Sequence, residues 1–125
     1  MNLLNKYYGK KLQLFDVTED LFKYCSVVRV VCLVLDSRES KIVKDIRYIS
    51  IDEGNKRTSL LNGIVKDDGN FYLYLVNHPS GNLSLSEENL SLYRSLKRIT
   101  DRFDLVQVSR GEKAYVSYDS VFSVL

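Results

Sequence analysis

The sequence predicts a single α/β (α+β) domain in which a mixed β-sheet is flanked by helices. Three observations carry this. Residues 26–36 form a nearly continuous apolar run rich in β-branched side chains, as a strand covered on both faces does. Residues 70–76 (Asn-Phe-Tyr-Leu-Tyr-Leu-Val) form a second strong strand. Between and after these runs, apolar residues recur at helical spacing over 56–66 (Leu60, Leu61, Ile64, Val65) and 84–103. A chain of 125 residues, 45% hydrophobic and 27% charged, is one ordinary globular domain able to bury a core without staples.

The elements are read in order. Residues 1–16 are an N-terminal segment and 17–125 the domain. Thr18–Tyr24 reads as a short helix, with Thr18 or Asp16 as its N-cap and acids in its first turn. The strand 26–36 is followed by a turn at Asp36–Ser40 and an antiparallel return over 41–51, which alternates loosely through Ile42, Val43, Ile46, Tyr48, Ile49 and Ile51. After a loop at 52–55, residues 56–66 read as a helix that ends near Gly69, a plausible left-handed stop. The strand 70–76 runs into a tight loop, Asn77-His78-Pro79-Ser80-Gly81. Ser84 with Glu87 fits a capping box, with Ser86 as another cap, for a helix whose face is Leu90, Tyr93, Leu96, Ile99 and Phe103. Strands at 104–109 and 113–118, joined by a turn at Arg110-Gly111-Glu112, close the order α-β-β-α-β-α-β-β. The strand Phe71, Tyr72, Tyr74 is expected to pack one face on the core and leave a half-exposed tyrosine face.

Composition excludes several classes. The net charge of +2 is too small to argue for nucleic acid on its own. Two basic clusters, Lys6/Lys10/Lys11 and Arg94/Lys97/Arg98, read first as solvated faces and second as phosphate contacts. Cys25 and Cys32 match no zinc or CxxC spacing. Cys32, inside the apolar run, reads as a small buried hydrophobe. The first residues carry no apolar signal region, and the longest apolar stretch, broken by Arg29, is too short to span a bilayer. A cytoplasmic protein with no membrane partner is expected.

The chemistry is expected around the chain's one histidine, His78, at the end of a strand, where α/β folds commonly place ligand groups. Seven residues separate His78 from Ser86, and two more separate Ser86 from Asn89. This segment resembles the signature of the JAB/JAMM (MPN) metallopeptidases, a His-x-His-Pro followed by Ser-x-x-Asp, and in particular the His-Asn-His-Pro-Ser-Gly version of the RadC-like branch. Asn77, His78, Pro79, Ser80, Gly81 and Ser86 match in register. The Tyr115-Val116-Ser117 ending is similar too, and the likeness covers roughly residues 17–125. It implies a cytidine-deaminase-like architecture and, in active members, a zinc ion held by two histidines and an aspartate, with an upstream glutamate as general base.

The departures matter more than the matches. Val76 stands at the first histidine position and Asn89 at the aspartate position, while Arg57 and Thr58 fall where the glutamate belongs. A catalytic zinc needs about three protein ligands and an open position for water. Valine has no lone pair, and a neutral amide does not supply the anionic oxygen such a site uses. His78 remains as a residual, weak ligand or as a structural histidine holding the loop. Ser86 reads as a helix cap once the metal is gone. No cofactor is expected.

The implied function is therefore a catalytically inactive RadC-like domain acting as a binding or scaffold module, with a protein partner or a second copy of itself. DNA repair attaches to the family as a label only. One alternative is a zinc-dependent JAMM-type hydrolase whose ligand set is rebuilt from Asp52, Glu53, Glu87 or Glu88. The other is a nucleic-acid accessory protein contacting its partner through Arg94, Lys97 and Arg98.

Overall fold

The computed structural model describes residues 3–23, 30–49, 69–78, 87–109 and 114–122. Five strands form one mixed sheet: β1 (Val30–Leu35), β2 (Val43–Ile49), β3 (Phe71–His78), β4 (Phe103–Ser109) and β5 (Ala114–Ser117), in the spatial order β2-β1-β3-β4-β5. β3 and β4 are parallel and every other pair is antiparallel. A parallel pair needs a crossover, and α3 (Glu87–Lys97) lies in the connection between β3 and β4. α1 (Leu3–Tyr7) and α2 (Leu14–Phe22) precede the sheet, and α4 (Tyr118–Phe122) follows it. No helix among the described residues is long and apolar enough to cross a membrane.

Alternation along β1 and β3 explains the two apolar runs. Val30, Cys32, Val34, Tyr72, Tyr74 and Val76 pack with Leu92, Tyr93 and Leu96 of α3. Val31, Leu33, Leu35, Phe71, Leu73 and Leu75 pack on the opposite face with Tyr7, Val17 and Phe22 of α1 and α2. All six residues of β1 are buried. Successive side chains of a strand point to opposite faces, so a strand covered by helices on both sides must be apolar throughout. Cys32 is buried as expected, and desolvation pushes its thiol pKa up to about 12.

Several expectations need correction. α2 begins at Leu14, four residues before Thr18, and Gln13 precedes it without a side-chain capping bond. Leu14, Val17 and Leu21 pack on the same core cluster, so the apolar stripe outweighs the acidic cap signal. The Thr18 hydroxyl instead donates back to the Phe15 carbonyl at 3.1 Å. α3 ends at Lys97, where Leu96 accepts from the amides of both Ile99 and Thr100. Ile99 is consequently exposed, and Phe103 opens β4 instead of closing a helical face. Tyr72 and Tyr74 are not half-exposed but buried, at 1% and 0%, because α3 covers them. β3 continues through Asn77 and His78, which pair with Val108 and Ser109, so the motif opens inside the strand. Tyr118 starts α4 instead of ending a strand. The expected helix at 56–66 lies outside the described residues.

The β1–β2 turn is held by Asp36. Its carboxylate accepts from the amides of Ser37 (2.7 Å) and Ile42 (2.8 Å) and from the Ser40 hydroxyl (2.8 Å). Those bonds, led by the Ile42 amide, hold its pKa below the ordinary value. α1 is pinned to α2 by Asp20, which accepts from Lys6 Nζ at 2.7 Å and from the Tyr7 hydroxyl.

A polar cluster fastens the C-terminal part to the sheet. Asp119 of α4 accepts from Lys97 Nζ (2.9 Å), from Arg38 (3.3 Å) and from the Tyr93 hydroxyl. Lys97 also donates to the Phe103 carbonyl at 2.8 Å and lies over the Phe103 ring. Asp104, 7% exposed, accepts from the amides of Leu105 and Asp119 and from the Ser117 hydroxyl. Burial dominates there and raises its carboxyl pKa above the ordinary value, with the three donors only partly offsetting it.

Leu33 is 0% exposed at the middle of β1. Leu33→Ala should lower the stability by about 2–5 kcal/mol, read as a reduced urea midpoint with an unchanged slope. Asp104 gives a pH test. Its folded pKa lies above its unfolded one, so its contribution favours folding at low pH and is lost as pH rises through the raised value. Asp104→Asn keeps an acceptor for the two amides and removes the titration. The stability of the variant relative to the parent should therefore grow between pH 4 and pH 7 in paired urea titrations; a constant difference would contradict the buried-carboxyl account.

Candidate functional site

The sequence motif maps to the end of the parallel β3–β4 pair, where His78 lies beside Ser109 in the ladder. Val76, two residues earlier, sits between Val30 of β1 and Gln107 of β4 in register. Its side chain is 1% exposed and belongs to the core under α3. Asn77 is 0% exposed. Asn89 reaches down from the first turn of α3 and is 4% exposed. Its Nδ2 donates to Gln107 Oε1 at 3.3 Å, and the Tyr118 hydroxyl donates to the same oxygen.

The expected ligand positions are thus brought together, but into a different structure. Val76 lies beside Gln107 in the ladder, and Gln107 is met by Asn89 from α3 and by Tyr118 from α4. Three neutral side chains form a buried polar network, with Gln107 at its centre and 0% exposed. Buried amides stabilise only while partnered, and each of these is held by groups from separate elements. The two positions offer a hydrocarbon and a neutral amide oriented by its N–H bond to Gln107, so they do not fit a three-ligand zinc centre. Among the described residues no cluster of three His, Cys, Asp or Glu side chains could hold a metal ion.

Gln107 is the residue that sequence reasoning missed. The signal was present: on the face of β4 that carries Phe103 and Leu105, the next inward position is a glutamine. A lone amide in an otherwise apolar row needs a buried partner.

The remaining candidates divide by location. Glu87 and Glu88 are exposed on the first turn of α3, where they complement the helix dipole. Arg94 and Arg98 are exposed, whereas the Lys97 ammonium is turned toward Asp119 and the Phe103 carbonyl. Thr58, Pro79, Ser80, Gly81 and Ser86, with Asp52, Glu53, Arg57 and Cys25, lie outside the described residues. No known family model matches the chain, and no curated protein does either.

Asn89→Asp tests the network directly. It would set a carboxylate against the Gln107 oxygen in place of an N–H donor. At neutral pH the variant should lose about 1–3 kcal/mol, because two buried acceptors then face each other. The loss should shrink on acidification, when the carboxyl regains a proton. Urea unfolding at both pH values measures it, and an undiminished stability at neutral pH would show that the Asn89–Gln107 contact contributes nothing.

Proposed function

We propose that the chain is a non-catalytic relative of the RadC-like JAB/JAMM domains and serves as a binding or scaffold module for a protein partner or a second copy of itself. One observation carries the reading. The two positions at which the family's motif would supply metal ligands are committed elsewhere: Val76 to the core, Asn89 to a buried hydrogen bond with Gln107, whose oxygen also accepts from the Tyr118 hydroxyl. A hydrolase of this type needs a metal to lower the pKa of its bound water to about 7. A buried valine and a partnered amide leave His78 as the sole motif ligand, too little to hold one firmly. The reading assigns no metal chemistry to the motif's remaining residues, Asn77, Pro79, Ser80, Gly81 and Ser86. The mixed sheet with helices on both faces is compatible with the cytidine-deaminase-like architecture that the resemblance implies.

Elemental analysis of tag-free protein tests this. Zinc should be present far below one equivalent per chain, and His78→Ala should not change the amount. Zinc near one equivalent that disappears in His78→Ala would overturn the reading in favour of a hydrolase with a rebuilt ligand set. Light scattering on the same sample reads self-association. A salt-dependent shift of short DNA, weakened by substitution of Arg94 and Arg98, would move the assignment to a nucleic-acid accessory protein.

A further inference from the structure

At the opposite end of the sheet from the motif, on the α1–α2 face, lies a cavity of about 360 Å³. Its volume is in the range of small-molecule sites. Apolar side chains from three strands, Leu35, Phe71, Leu73 and Val106, line it together with Leu12 ahead of α2 and Leu14 at its start. Such walls take an apolar body.

Its charged lining has one unmatched member. Asp119 is neutralised by Lys97 at 2.9 Å and Arg38 at 3.3 Å. Asp104 is buried under three donors, and its charged form is disfavoured. Arg38 spends one N–H on Asp119 and another on the Asp101 carbonyl at 2.6 Å, and its fork carries five. Lys41 is also on the lining, and its ammonium meets no carboxylate among the described residues.

Lys41 is also held in an uncommon backbone conformation. Its φ of 55° is in the left-handed region, which costs a non-glycine residue energy. The strain is imposed from both sides: the Lys41 amide donates to the Ser37 carbonyl at 3.2 Å, and its carbonyl accepts from the Leu12 amide at 2.8 Å. The residue is therefore fixed by the β1–β2 turn and by the segment before α2 together.

We infer that this cavity binds a small amphipathic carboxylate, its hydrocarbon part against Leu12, Leu14, Phe71 and Leu73 and its carboxylate on Lys41 with the free N–H groups of Arg38. The inference is independent of the reading of the motif end.

Titration of the full chain with octanoate, followed by amide chemical shifts in two-dimensional NMR, tests it. Octanoate should give saturable shifts at residues 12–14, 35–41 and 71–73. Octylamine, octanol and inorganic phosphate should bind at least about tenfold more weakly. Lys41→Gly accommodates the left-handed backbone, so the variant should stay folded with an unchanged thermal midpoint or a raised one. It should weaken octanoate about tenfold, and Lys10→Gln, on the exposed surface nearby, should not. Absence of saturable octanoate shifts would overturn the proposal. So would equal binding of octylamine, or octanoate binding that Lys41→Gly leaves unchanged in a folded protein.

Discussion

Two-sided burial of the central strands is the constraint on which the rest of this structure depends. β1 and β3 have no solvated face, so α3 must cover one side of the sheet and α1 with α2 the other. Every polar atom carried into that interior then needs a partner at hand, since an unpaired buried group costs about 1–3 kcal/mol. The Asn89–Gln107–Tyr118 bonds and the donors around Asp104 meet that demand at the two ends of the sheet.

The two ends differ in character. Beneath the motif the interior is neutral, built of amides and a phenol. At the other end, Arg38, Lys97, Asp104 and Asp119 gather charges from the β1–β2 turn, α3, β4 and α4. Charge pairs between such distant parts of the chain fix how those parts meet. Their contribution depends on removal from water: side chains of Lys97 and Asp119 are 22% and 14% exposed, against 52% and 28% for Lys6 and Asp20. The first pair is correspondingly less screened by salt.

The strands were the most legible part of the sequence, because burial on both faces writes itself as an unbroken apolar run. The helices were less so. α1 and α4 span five residues each, too few for a 3.6-residue period to register. Phe103 fitted the spacing of the preceding helix, yet Lys97 tied to the Asp101 and Phe103 carbonyls turns the chain there. The burial of the β3 tyrosines is not legible in the sequence, because no local pattern announces which face a distant helix will cover. At the motif end, Val76 and Asn89 were visible as unsuitable ligands. Their shared neighbour Gln107 belongs to another strand and required the sheet register to be found. The cavity lining was least legible of all, since Leu12, Lys41, Phe71, Asp104 and Tyr115 come from separate segments.

The strand order has a consequence for synthesis. Leu35 pairs with Val43 across a short turn, but its other edge waits for Phe71, beyond the whole 50–70 stretch. A ribosome-bound chain therefore presents the β1–β2 hairpin with one hydrogen-bonding edge vacant and with Val30, Cys32 and Val34 still without the helix that covers them. Such an edge is a template for pairing with other chains. The hazardous interval is translation itself: the vacant edge closes when β3 emerges, and the open face closes when α3 follows it.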